Sequence, residues 1–180
     1  LAIEPLHHTT PISGLAFHPT SPHLLATRPD GASARLWDVG PTSGYVPALP
    51  DAGVAAIAGG PDSNSDGPSH VTFDPSGRLL ASFAKRGRAV RLWDVARGAP
   101  AGQPLTMPAE VLAIAFSADG ATIAASRTDG VIYIVDIDSG EVVQTGRHGY
   151  SFSLAFQPGS HILASGGIQS GVAFWDTSKP

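Results

Sequence analysis

ARLWDV at residues 34–39 returns as VRLWDV at 90–95, as IYIVDI at 132–137 and as VAFWDT at 172–177. Self-similarity at a period of about 40 residues marks an array, in which each unit buries its apolar face against a neighbour. A second landmark falls into register once the four copies are aligned: LAFHP at 15–19, VTFDP at 71–75, IAFSA at 114–118 and LAFQP at 154–158. Phe17, Phe73, Phe116 and Phe156 precede the motif's tryptophan position by 20, 20, 19 and 19 residues. Between the landmarks lie a turn rich in Pro, Gly, Asp and Ser and a third apolar run: HLLAT at 23–27, RLLAS at 78–82, TIAAS at 122–126 and HILAS at 161–165.

Strands of four to six residues parted by turn chemistry at intervals of about ten residues are an all-β signal, and no segment keeps a helical period beyond two turns. Each repeat therefore contains strand a around the Phe, strand b at the LLA run and strand c ending in Trp-Asp. A fourth strand, d, is expected after each c: VAAIA at 54–58, a segment ending in QPL at 103–105, and EVVQT at 141–145. IEPL at 3–6 reads as a further d with no repeat before it. The repeats span approximately 7–48, 69–106, 107–146 and 147–180. From Trp37 to Phe73 is 36 residues, against 23 from Trp93 to Phe116, so residues 40–70 form an irregular insertion of loop composition. Loops of that length are either functional or disordered.

Composition narrows the function classes. Gly 21 and Pro 16 make about a fifth of the chain, which fits turn residues rather than low complexity. A net charge of −4 supplies no electrostatic drive toward duplex nucleic acid, so none is expected as a partner. With no cysteine there is no disulfide framework, thiolate zinc site or cysteine nucleophile. The longest apolar runs, such as VLAIAF at 111–116, fall far short of the roughly 18 residues of a membrane helix, and no membrane partner is expected. The working expectation is a cytoplasmic location, on which the missing cysteines are silent. Alanine-rich, lysine-poor usage suggests a GC-rich bacterial source. The start at Leu1 suggests part of a longer polypeptide.

The aligned motifs resemble the WD40-repeat β-propeller family over residues 3–177. The resemblance implies an all-β propeller segment of four four-stranded antiparallel blades set about a channel. It also implies a buried hydrogen-bond chain in each blade: a histidine before strand a, Ser or Thr on strand b, Asp in the turn from b to c, and the strand c Trp. Repeat one matches with His8, Thr27, Asp30 and Trp37, Asp30 being one residue off the usual spacing. Repeat four keeps His148, Ser165 and Trp175, repeat three keeps Asp129, and repeat two keeps Trp93 with Ser82 near its place. Such eroded blades should rest mainly on apolar packing. A lone blade cannot offset its ordering cost of about 1–2 kcal/mol per residue, so four blades require missing neighbours from the same longer chain, a second copy, or closure as a small ring.

No motif for catalysis stands out. The seven histidines include no pair at zinc-site spacing, and G-x-S-x-G, phosphate-loop and H-E-x-x-H patterns are absent, so neither metal nor cofactor is expected. Asp38, Asp94, Asp136 and Asp176 end strand c in different repeats, where the resemblance makes them turn residues. One asymmetry remains. Arg28, Lys85, Arg86, Arg88 and Arg127 place five of eleven basic residues in the turns from b to c. In a propeller these turns share a rim with the d-to-a loops that carry His7 and Tyr150. Turns are commonly basic and solvated, yet guanidinium forks also bind carboxylate and phosphate bidentately. The expected role is thus a non-catalytic scaffold or sensor module for signalling, binding a protein or peptide, acidic or phosphorylated, on this rim. The competing reading is an enzyme or ligand-binding propeller with a polar site at the channel mouth; a third is a structural spacer.

Overall fold

The computed structural model describes residues 12–21, 23–29, 35–38, 46–47, 68–84, 87–167 and 171–178, and no helix occurs among them. Among the described residues sixteen strands form four antiparallel sheets in chain order. Blade one is β1 (Ile12–Phe17), β2 (Leu24–Pro29), β3 (Arg35–Asp38) and β4 (Val46–Pro47). Blade two is β5 (Pro68–Phe73), β6 (Leu79–Ala84) and β7 (Ala89–Asp94), with β8 (Ala99–Pro100) and β9 (Leu105–Thr106) both paired to β7. Blade three is β10 (Val111–Phe116), β11 (Thr122–Arg127), β12 (Val131–Asp136) and β13 (Val142–Arg147). Blade four is β14 (Ser151–Phe156), β15 (Ile162–Gly167) and β16 (Gly171–Asp176).

Two expectations for strand d change. In blade one the described partner of β3 is Val46–Pro47, in the register Trp37 opposite Pro47; VAAIA at 54–58 and IEPL at 3–6 lie outside the described residues. In blade two the outer strand is two short pieces rather than one. Gly102 between them has φ +81°, and Pro104 carries no N–H to donate to a ladder, so continuous pairing cannot run through AGQP.

Local chemistry explains why the strands stop where they do. In the β5–β6 turn the Asp74 carboxylate accepts the Leu79 N–H at 2.7 Å, while Gly77 takes φ +78° and donates its N–H to Asp74 O. The motif aspartates close the c-to-d turns: Asp94 accepts from Arg97 N–H at 2.9 Å and Asp136 from Ser139 N–H at 2.8 Å. Each strand a also carries a register shift near its start, between Ile12/Gly14, Pro68/His70, Val111/Ala113 and Ser151/Ser153. A bulge there adds twist and turns the chain from one blade toward the next.

The core lies between blades. Ala26 and Leu36 of blade one meet Val71, Phe73, Leu80 and Trp93 of blade two. Ala81, Phe83 and Leu92 of blade two meet Ile114, Phe116 and Ile123 of blade three. Ala124 and Ile132 of blade three meet Leu163, Phe156 and Trp175 of blade four. Every internal junction thus sets the strand a phenylalanine of one blade against the b and c strands of the blade before it.

Candidate interaction rim

The rim is built by loops that the blades hold close together. The Val111 N–H donates to Gly87 O at 2.9 Å and Thr128 N–H to Glu110 O at 3.0 Å, so the b-to-c turns of blades two and three lie against the segment leading into β10. The His148 N–H donates to Gly130 O at 2.9 Å, which fixes the d-to-a loop after β13 beside the b-to-c turn of its own blade. Two glycines make this approach possible: Gly130 has φ +80°, and a Cβ there would come within 3.1 Å of Gly149 Cα.

Beneath the rim, tryptophans hang from the b strands by hydrogen bonds. In blade four Trp175 Nε1–H donates to Ser165 Oγ at 2.9 Å, and that hydroxyl lies 2.7 Å from His148 Nδ1. In blade one Trp37 Nε1–H donates to Thr27 Oγ1 at 2.7 Å. In blade two Trp93 Nε1–H donates to Ser82 Oγ at 3.2 Å. Blade three has Ala125 opposite Tyr133 at the equivalent point of the ladder; the neighbouring Ser126 donates instead to Ser151 O at 2.6 Å and ties blade three to blade four. His8 and Asp30 lie outside the described residues.

The basic residues part company here. Arg88 and Tyr150 are exposed, as a rim site requires. Arg28 lies one residue before the end of β2 with its backbone opposite Gly14, while Lys85, Arg86 and His7 lie outside the described residues. Arg127 departs from the expectation of a solvated rim side chain, being only 3% exposed. Alternation along β11 puts it on the face of Ile123 and Ala125, which packs against blade two. Its Nη2 donates to Asp129 at 2.6 Å and its guanidinium sits 4.5 Å from the Tyr133 ring centroid, while Nε and Nη1 are buried with no hydrogen-bond partner among the described residues. Asp129, which also accepts the Val131 N–H at 3.1 Å, therefore neutralises a buried cation. The sequence reading passed over exposed Arg147 at the end of β13, opposite Val131; its place directly before His148 was the available signal.

At the channel, the four a strands converge on a cleft lined by Phe17, Phe73, Phe116 and Phe156, with Ala115 and Ala155 between them. Its polar side chains, His70, Thr72 and Asp74, come from one blade. No group of three His, Cys, Asp or Glu able to hold a metal ion occurs among the described residues.

Comparison with known proteins places these features in company. The family model "WD domain, G-beta repeat" matches residues 4–38 and 103–136. The "Periodic tryptophan protein 2 homolog" of Schizosaccharomyces pombe is 34% identical over 77 residues, covering 42% of this chain and 9% of that protein. "Transducin beta-like protein 3" of Bos taurus is 29% identical over 139 residues, covering 77% of this chain and 16% of that protein. The chain therefore spans no more than about a sixth of the length of these curated relatives. Both are eukaryotic, so the compositional hint of a bacterial source draws no support from them. Among solved structures, the computationally designed Ika4 protein superposes with a TM-score of 0.67 at 21% identity, covering 94% of this chain and 93% of that one. That likeness concerns the fold alone.

Proposed function

The chain carries WD40 repeats folded as propeller blades, and from that premise we propose that it is a non-catalytic scaffold whose b-to-c and d-to-a loops capture an acidic or phosphorylated protein segment. WD40 repeats serve protein–protein interaction in general; the choice of rim and of partner chemistry is the reading offered for this chain. The observation that carries it is the fixing of b-to-c turns beside d-to-a loops by backbone hydrogen bonds, with Arg88, Arg147 and Tyr150 exposed there. A rigid backbone under mobile cationic side chains suits a peptide ligand, because little ordering of the loops is needed on binding. Arg127 belongs to the supports of this surface rather than to its contacts, since its charge is spent on Asp129 and Tyr133.

The test is fluorescence anisotropy with a labelled acidic phosphoserine peptide and its uncharged counterpart, on the parent chain and on R88E/R147E. Losing even one hydrogen bond to a charged group, about 1.5 kcal/mol, weakens binding roughly tenfold, so reversing both cations should weaken phosphopeptide binding by at least that factor, with the melting temperature unchanged because both side chains are exposed. Equal binding by the parent and the charge-reversed protein would remove the rim as the binding surface. Tighter binding of the uncharged peptide would remove the acidic partner.

A further inference from the structure

On the rim opposite the b-to-c and d-to-a loops, the a-to-b turns of successive blades lie side by side, and each junction fills the space between them differently. At the first junction the residue after the strand a phenylalanine is His18. Its Nδ1 accepts the Ser21 N–H at 2.9 Å, its ring stands edge-on to Phe73, and its Nε2 donates to the carbonyl of Gly77, in the turn of blade two, at 2.9 Å. The imidazole lies so close to that turn that a Cβ on Gly77 would run into it. At the second junction the equivalent residue is Asp74, whose Oδ2 lies 3.5 Å from where a Cβ on Gly120 of blade three would stand. At the third it is Ser117, and this short hydroxyl turns back into its own loop, donating to Asp119 Oδ1 and accepting the Thr122 N–H at 3.0 Å. The space stays open there as a cleft of about 310 Å³ between Ser117, Ala118 and Asp119 of blade three and Gly159, Ser160 and His161 of blade four. Its two walls belong to blades that the chain itself packs together through Ala124, Ile132 and Leu163.

We propose that this cleft is a binding site for a planar cationic side chain, the guanidinium of an arginine presented by a partner protein. The first junction supplies the template. There a flat ring N–H reaches the carbonyl four residues after the phenylalanine of the next blade, Phe73 to Gly77; the same count from Phe156 gives the carbonyl of Ser160, in the wall of the cleft. What the cleft adds is charge. Asp119 is exposed and accepts the Ser117 hydroxyl and the Ala121 N–H, both on Oδ1, which leaves Oδ2 to receive a ligand's N–H. The same two donors, with a smaller contribution from His161 across the cleft, hold its carboxyl below the ordinary value, so it is an anion at neutral pH. A guanidinium is planar, always charged and weakly hydrated, and its fork of N–H groups can serve a carboxylate and a carbonyl at once. An ammonium is a compact, strongly hydrated point charge and suits a slot whose counterpart holds an imidazole less well. A phosphate or carboxylate would be repelled by Asp119. The site lies on the other rim from the loops of the scaffold reading and does not rest on that reading.

The test is a titration of the isotope-labelled 180-residue chain with N-acetyl-arginine methylamide, followed by amide chemical shifts, beside the same blocked derivatives of lysine and of citrulline, which keeps the shape of arginine without its charge. The expected result is saturable shifts with the arginine derivative, centred on the amides of residues 119–121 and 159–162, and at least tenfold weaker binding of the other two. Asp119→Asn should weaken arginine binding about tenfold, as the loss of a hydrogen bond to a charged group does. Ser117→His, which installs at the third junction the ring that fills the first, should abolish it. Amide shifts matching the parent outside the two turns check that each variant is folded; if Ser117→His does not fold, Asp119→Asn carries the test. The proposal is overturned by a folded parent chain with no saturable shift at the two turns, by lysine or citrulline derivatives that bind as well as arginine, or by a folded variant that binds as the parent does.

Discussion

Ser82→Ala isolates the energetic worth of the tryptophan hydrogen bond in blade two, where that bond stands alone among the described residues. Trp93 is 2% exposed and Ser82 1%, so when the hydroxyl is deleted, water has no path to the indole N–H that it accepted at 3.2 Å. The serine-to-alanine change removes almost no volume, and the loss is that of a buried donor left unsatisfied, about 1–3 kcal/mol. For a chain of this size each kcal/mol lowers the melting temperature by about 2–4 °C, so a fall of roughly 2–12 °C is expected by calorimetry. Trp93→Phe removes the donor and part of the contact with Leu80 and Phe73 in the same cluster. In the double variant the N–H that needed a partner is gone, so the combined cost should fall short of the sum of the singles by about 1 kcal/mol. Strict additivity, or a Ser82→Ala shift below about 2 °C, would refute the view that this bond holds the tryptophan rather than merely sitting beside it.

Three further outcomes follow from the geometry. Gly146→Val should lower the melting temperature by about 2–12 °C, because a Cβ there would run into the Trp175 ring and overpacking of this kind costs about 1–3 kcal/mol; an unshifted transition would show that the ring yields freely. Arg127→Met should be near neutral or stabilising, since an apolar side chain replaces a buried guanidinium with two nitrogens idle among the described residues, while Asp129→Ala should destabilise clearly by leaving that cation unpaired. The reverse order in denaturant midpoints would overturn the assignment. Acid should also weaken the fold. The Ser117 hydroxyl and then the Ala121 N–H hold Asp119 below its ordinary value of 3.8, and the Ser139 N–H and then its hydroxyl do the same for Asp136. Depressed native values mean that the unfolded chain takes up protons first, so this stability is present above that ordinary value and is lost as the pH falls through the native ones. Melting temperature against pH should therefore drop in acid, and less steeply in D119N; an unchanged slope in D119N would reject the contribution.

How much of this was legible follows from where the constraints lie. The a, b and c strands could be read because Phe and Trp recur at fixed separations, and the structure keeps that spacing as ladder register: Phe17 opposite Leu25 and Trp37 opposite Leu25, then Phe156 opposite Leu163 and Trp175 opposite Leu163. Strand d was legible only in blade three, where EVVQT overlaps β13, because there it is six residues long and pairs along its length. Two-residue pieces such as Val46–Pro47 and Ala99–Pro100 carry no pattern to recognise, and proline argues against them. Arg127 was misplaced because its turn-like setting drew the eye, although counting by twos from Ile123 through Ala125 leads onto the packed face. Its partner Asp129 was identified, but for a histidine-centred chain rather than for an arginine.

The division between legible and illegible parts is also the division between packing and recognition. Blade three lacks the tryptophan and the strand b hydroxyl in register, yet Ile123, Ala124 and Val135 are completely buried. Its junctions are therefore held by apolar burial at about 25 cal/mol per Å² together with the Ser126–Ser151 tie, without a full polar chain. What the repeat must preserve is the spacing that mates one blade face with the next, and this is the part of the sequence that repeats. The rim turns need only return the chain to that register, as the Gly130–Gly149 contact does, so their exposed side chains are free to differ from blade to blade. A repeat sequence fixed by its junctions thus leaves exposed residues such as Arg88, Arg147 and Tyr150 unconstrained by any period.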